Sequence, residues 1–148
     1  MFKPIGFVKS DVTEKVDSGW GAVVSQIVVD EDLKDGLKGL DGFSHLKIIY
    51  HLNEAGFVKE RDLVRRPKNR EDLPLVGIFA QRSKDRPNGI GISSVKLISV
   101  DDNVVTVQGF DAINNTPVFD IKPYYSRYDL KPDATTPEWV DVIMQDYF

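Results

Sequence analysis

Apolar and polar positions alternate along this chain in short runs rather than in long helical stripes. Seven stretches read as strands: PIGFVKS, GAVVSQIVVD, FSHLKIIYHL, GIFA, GISSVKLISV, NVVTVQGF and TPVFDIKPY. Each is rich in Val, Ile, Phe or Tyr and is bounded by Gly, Pro, Asn or Asp, as half-buried strands require. VKLISV and NVVTVQ flank Asp101-Asp102-Asn103, which predicts a hairpin. A parallel alternating fold would need a helix after each strand, and those patterns are missing. The expected fold is mainly β: a small antiparallel barrel with a few short helices and a C-terminal helix, in one domain over residues 1–148.

Two helical stretches are expected. DEDLKDGLKGL spaces Leu33, Leu37 and Leu40 along one apolar stripe, kept short by its glycines. Near the end of the chain, Thr135, Thr136, Pro137 and Glu138 form a start signal of hydroxyl cap, proline and early carboxylate. Trp139, Val140, Ile143, Met144 and Tyr147 then share a face that should dock on the barrel or on a second subunit. Residues 54–76, charged and with two prolines, read as a long surface loop of the kind that carries function.

Composition narrows the chemistry. There is no cysteine, which excludes a thiol nucleophile and a thiolate metal site and suits a reducing cytoplasm. No run approaches a membrane-spanning length, so no membrane association is expected. The net charge of −4 is unevenly spread. Residues 59–86 hold nine Lys and Arg against five Asp and Glu, whereas residues 101–148 hold nine acids against three cations. An anion-binding face on an acidic body has this distribution, and so does a solvated loop.

Alternation in the 43–53 strand puts Leu46, Ile48, Tyr50 and Leu52 on the core face. Phe43, His45, Lys47, Ile49, His51 and Asn53 take the other face. The two histidines lack a matching set of acidic ligands, so no metal site is expected. In QRSKDRPNGIGIS, guanidinium forks that suit carboxylate or phosphate adjoin Pro87, Gly89 and Gly91, which allow close backbone approach. The glycine spacing matches neither a dinucleotide fingerprint nor a P-loop. Asp111 and Asp120, in QGFDAINNTPVFDIKPYY, are either turn-capping residues or acceptors for an amino or cationic ligand. No nucleophile elbow is present.

Taken in order, FSHLKIIYHLN, GIFAQRSKDRPNGIGISSVKL and DAINNTPVFDIKPY resemble the motifs of the TsaA/TrmO-like family, S-adenosylmethionine-dependent tRNA methyltransferases. The match covers roughly residues 4–125. Gln81 and Gly89 stand where the family pattern has Thr and Pro, and Asn53-Glu54 where it often has His-Gln. A P-R-Q segment common in the N-terminal region is also lacking.

The resemblance implies a β-barrel homodimer that binds S-adenosylmethionine and methylates the exocyclic nitrogen of threonylcarbamoyl-adenosine beside the anticodon of tRNA. Carried over by position, the cofactor contacts are Asn53, Glu54, Arg82, Ile92, Gln108, Gly109, Phe110 and Asp111. Arg82 and Glu54 would hold the cofactor's polar ends, and the 108–111 backbone would frame its adenine. Asp111 is the candidate catalytic residue, accepting a proton or hydrogen bond from the target nitrogen. Arg65, Arg66, Lys68, Arg70, Lys84 and Arg86 would meet RNA phosphates. The alternatives are a binding module of the same fold without turnover, and a methyltransferase for a small molecule.

Overall fold

The computed structural model describes residues 1–14 and 16–148. Six strands close into an antiparallel barrel: β1 (Gly6–Lys9), β2 (Val24–Val29), β3 (His45–His51), β6 (Ile90–Asp101), β7 (Val104–Gln108) and β8 (Pro117–Pro123). Their order around the barrel is β1-β2-β7-β6-β3-β8, and β8 returns to β1 through Gly6↔Val118 and Phe7↔Pro117. Closure removes the open edges that an exposed sheet would present. Between β3 and β6 the chain makes a long excursion. It holds a short helix α1 (Lys59–Asp62) and a two-stranded ribbon of β4 (Val64–Arg65) and β5 (Val76–Gly77).

Six of the seven expected strands are barrel strands. GIFA is not: only Gly77 pairs, with Val64, and Ile78–Ala80 is a 3-10 turn. Ile78 is buried within the excursion while Phe79 points outward, so its apolarity serves the ribbon rather than a sheet. The 54–76 segment, expected as a loop, therefore has structure of its own. Leu33, Leu37 and Leu40 also depart from expectation, for the stretch folds as 3-10 turns (Glu31–Leu37 and Leu40–Gly42). The tighter winding leaves Leu33 exposed, whereas Leu37 and Leu40 reach the core.

The core is the barrel interior: Val8, Ile27, Val29, Leu46, Ile48, Tyr50, Val95, Val105, Val107, Phe110, Ala112 and Val118. Leu46, Ile48 and Tyr50 are buried on one face of β3, as alternation requires. Phe110 meets the Tyr50 ring edge-on at a 5.0 Å centroid distance, a favoured aromatic geometry. The β6–β7 hairpin turns at Asp102, in the left-handed region at φ +53°, and Asn103. Asn103 is pinned to β2, its side-chain amide donating to Val29 O and its carbonyl accepting from Val29 N–H.

Two irregularities interrupt the β6–β7 ladder within the closed barrel. The β6–β7 register shifts between Leu97 and Ser99, bulging Ile98 outward to an exposed position. β7 pairs with β6 only from Lys96↔Gln108 outward, while β6 pairs with β3 along Ile90–Lys96. The first half of β6 thus faces Gly109–Asp111 with no ladder between them, so side chains bridge that gap. Beyond the barrel lie helices α2 (Ser126–Asp129) and α3 (Glu138–Met144). α3 starts after Pro137 without the expected hydroxyl cap. Trp139, Val140, Ile143 and Tyr147 are half-buried, whereas Met144 is exposed. Among the described residues, no helix is long and apolar enough to cross a membrane.

Candidate functional site

The unpaired stretch between β6 and the end of β7 holds a compact polar cluster around Asp111. Ser93, inward-facing on β6, donates to Asp111 Oδ1. Tyr50, inward-facing on β3, donates to the same oxygen at 3.2 Å and lies 3.0 Å from Ser93 Oγ. The Tyr147 hydroxyl donates to Oδ2. Three hydroxyls from three separate parts of the chain therefore converge on one half-buried carboxylate. A carboxylate accepts about four hydrogen bonds, so one acceptor position on Oδ2 remains for a ligand.

The backbone permits this arrangement at Gly91. A Cβ built there would meet the Tyr50 ring at 2.6 Å, so glycine lets the phenol lie across β6. Burial, and then the charge of Asp111, push both phenols well above the ordinary tyrosine range, keeping them neutral donors. The positive charge of Arg82 works against this at both tyrosines, which places its field on the same cluster. Arg82 Nη2 donates to Ile92 O at 2.7 Å, close to Ser93. The site thus presents a carboxylate held by neutral donors and a separate, exposed guanidinium. A ligand carrying both signs of charge fits such a pair.

Of the cofactor-site residues expected from sequence, Arg82 and Ile92 are joined directly and lie next to Ser93, which donates to Asp111. Gln108 ties the end of β7 to the 19–23 segment, donating to Gly21 O at 3.2 Å. The Gly109 N–H donates to Val23 O at 2.9 Å. The Phe110 side chain is fully buried in the core, leaving only its backbone to face a ligand. Asn53 and Glu54 lie exposed in the turn beyond β3, next to the bond from Leu52 N–H to Gly89 O. Tyr50, Ser93 and Tyr147 join the site without a signal in the sequence. Tyr50 reads as core by alternation, Ser93 sits inside a motif with no chemical mark, and Tyr147 reads as one more apolar residue of the last helical face.

The family departures have local reasons. Gly89 has φ +57°, which a proline ring cannot adopt, so the turn after Pro87 is wound differently here. Gln81 is buried and its amide donates to Arg65 O and Val76 O, both at 3.0 Å, clamping the ribbon from below.

The basic residues divide in two. Asp62, fully buried, receives both forks of Arg61 at 2.7 Å, Arg65 Nη1 at 2.9 Å and the Val58 N–H at 2.8 Å. Hydrogen bonds from Arg61 above all hold its carboxyl well below the usual range. Arg66 donates to Leu73 O, and Arg86 to Gln81 O and Ser83 O. Those arginines brace the excursion. Lys68, Arg70 and Lys84 are exposed, although Lys68 reaches Ile143 O and Arg70 pairs with Asp72.

A closed antiparallel barrel with a carboxylate and a guanidinium where the β6–β7 ladder ends defines the class, and comparison with known proteins places it. Residues 15–130 match the model of the tRNA-methyltransferase O N-terminal domain, and the chain belongs to that family. A probable S-adenosyl-L-methionine-binding protein of Pyrococcus abyssi is 33% identical over 138 residues, covering 90% of this chain and 72% of that one. The human tRNA (adenine(37)-N6)-methyltransferase is 37% identical over 101 residues, 68% of this chain and 22% of its own length. The crystal structure of TrmO from P. aeruginosa superposes with a TM-score of 0.76 at 27% identity, covering 94% of this chain and 61% of that one. The chain thus spans about three fifths of that structure and under a quarter of the human relative.

Proposed function

We propose that this protein is an S-adenosylmethionine-dependent methyltransferase acting on tRNA, at the exocyclic nitrogen of threonylcarbamoyl-adenosine next to the anticodon. The observation that carries the reading is Asp111: a carboxylate held by three neutral hydroxyls, with Arg82 beside it where the β6–β7 ladder ends. Because hydroxyls rather than arginines hold it, its negative charge stays available to a cationic ligand. S-adenosylmethionine fits, since it carries a sulfonium and an ammonium as well as a carboxylate, and it would supply a methyl group already activated for transfer. The names of the relatives agree with this choice.

Within that reading the chain's own residues have defined tasks. Arg82 binds the carboxylate of the ligand through its guanidinium fork. The Gln108–Phe110 backbone, tied down by Gly21 O and Val23 O, frames the adenine. Asn53 and Glu54 close the site from the turn beyond β3. Asp111 would accept a hydrogen bond from the N–H of the attacking nitrogen and take its proton as the nitrogen–carbon bond forms and the methyl carbon–sulfur bond breaks, the electron pair leaving on sulfur as a neutral thioether. Little further acid–base machinery is needed, because alignment supplies most of the acceleration in such a transfer. Lys68, Arg70 and Lys84 meet phosphates, which makes tRNA affinity fall steeply with salt. Arg65, Arg66 and Arg86 hold the excursion that presents them. The working form is a homodimer in the cytoplasm.

The test is to incubate the protein with methyl-labelled S-adenosylmethionine and tRNA bearing or lacking the threonylcarbamoyl group. Label entering only the modified tRNA is the expected result. Binding of the cofactor with no transfer to either tRNA would replace this reading with a non-catalytic binding module. Sedimentation equilibrium checks the dimer.

A further inference from the structure

Residues 131–148 lie beyond the stretch that the family model matches, and they deliver a side chain to the centre of the site. The delivery is built rather than incidental. Gly19 N–H donates to Asp146 O at 3.0 Å and Trp20 N–H to Tyr147 O at 2.9 Å. A Cβ at Gly21 would stand 2.8 Å from the Phe148 carbonyl carbon, so glycine is required for the last residues to lie flat on the 19–23 segment. That same segment accepts Gln108 and Gly109 through Gly21 O and Val23 O. Trp20, buried and donating to Val16 O at 3.1 Å, anchors it. Upstream, Lys68 of the excursion donates to Ile143 O at 2.8 Å. Tyr147 packs edge-on against Phe148 at 4.9 Å, which fixes its ring.

From this geometry we infer that Tyr147 is a positioning residue of the site, its hydroxyl fixing Oδ2 of Asp111 so that the remaining acceptor position of that oxygen faces the ligand. The inference rests on the methyltransferase reading above. Ser93 and Tyr50 both act on Oδ1, and without Tyr147 the carboxylate would be held at one oxygen only. Rotation about the Cβ–Cγ bond would then turn Oδ2 away from its task. The segment 146–148 is in this sense a strap that completes a site whose other parts come from the barrel.

The experiment is a double-mutant cycle on the whole chain, combining Tyr147→Phe with Asp111→Asn and read in two ways. Calorimetric titration with S-adenosylmethionine should show Tyr147→Phe binding about tenfold more weakly than the parent, with an unchanged far-ultraviolet circular dichroism spectrum. In the Asp111→Asn background the same substitution should change affinity by less than about twofold, because its route of action is gone. Unchanged affinity in Tyr147→Phe, or an equal loss in both backgrounds, overturns the inference. Urea unfolding of the four proteins without ligand gives the second reading. There the two substitutions should be non-additive, and additivity overturns the inference even if Asp111→Asn binds too weakly to titrate. Failure of the parent itself to bind S-adenosylmethionine would instead sink the methyltransferase reading, while the urea cycle still decides whether Tyr147 acts through Asp111.

Discussion

Two of the sequestered carboxylates among the described residues are held in opposite ways. Asp62, in the excursion between β3 and β6, is entirely buried and is met by two arginines and a backbone N–H. Its charge is cancelled on the spot, and the group joins α1 to the ribbon. Asp111, where the β6–β7 ladder ends, is half-buried and met by hydroxyls alone. Neutral donors orient it without neutralising it. The charge of Asp62 is spent on the two arginines that pack against it, whereas a carboxylate oriented by neutral donors is ready for a ligand. Sequestration by itself therefore says little about function, and the identity of the donors says much more.

The contrast can be tested by crossing the two sites. Asp111→Asn should lower methyl transfer by roughly 10²-fold or more, with a measurable but moderate fall in melting temperature. Asp62→Asn should do the reverse, lowering the melting temperature far more than Asp111→Asn does while leaving cofactor affinity in place well below that transition. Should Asp111→Asn unfold the protein, or Asp62→Asn abolish binding in the folded state, the division of labour is wrong. Arg82→Ala should weaken S-adenosylmethionine binding by about tenfold or more, through loss of a charge-assisted fork. Unchanged binding in calorimetry would remove Arg82 from the site.

Titration separates the two regions further. The folded Asp62 carboxyl sits below its unfolded value near 4, so its contribution is complete above that pH and is lost as pH falls further. The phenols of Tyr50 and Tyr147 sit above their unfolded value near 10, so their contribution is complete below that pH and is lost as pH rises past it. Urea midpoints measured across pH should therefore fall at both ends. Asp62→Asn should flatten the acid limb and Tyr147→Phe the alkaline one. The smallest effect is expected from Gln81→Thr, which restores the family residue but deletes two buried hydrogen bonds, costing about 1–2 kcal/mol in chemical denaturation.

Much of the barrel is legible in the sequence because alternation is a local property. Leu46, Ile48 and Tyr50 face the core as their spacing says, and the hairpin turns at Asp102-Asn103 as its composition says. GIFA misleads because four apolar residues fit a strand and a buried 3-10 turn equally well, and the partner strand is what distinguishes them. Leu33 misleads because a stripe drawn at the α-helical period is rotated when the backbone winds more tightly. Ile98 is apolar and exposed because a bulge inserts one residue into the register, which no single strand reveals. In the site, Arg82, Gln108 and Asp111 carry over by motif position. Ser93 and Tyr50 do not, since a serine and a core tyrosine become a donor pair only when β3 and β6 are side by side.

Local pattern is enough to establish an antiparallel β protein with three ordered family motifs, a basic excursion and no cysteine chemistry. Those features depend on neighbouring residues, side-chain alternation and turn propensity, all of which act over a few positions. Which charges are spent and which are free to act is settled by packing in three dimensions. Six cations in a row of loops look alike on paper, yet three brace Asp62, Leu73 and Gln81, Arg70 pairs with Asp72, and Lys68 donates to Ile143 O. Likewise, only the fold brings Tyr147 to Asp111 from 36 positions away, because burial and hydrogen bonding follow proximity in space rather than along the chain.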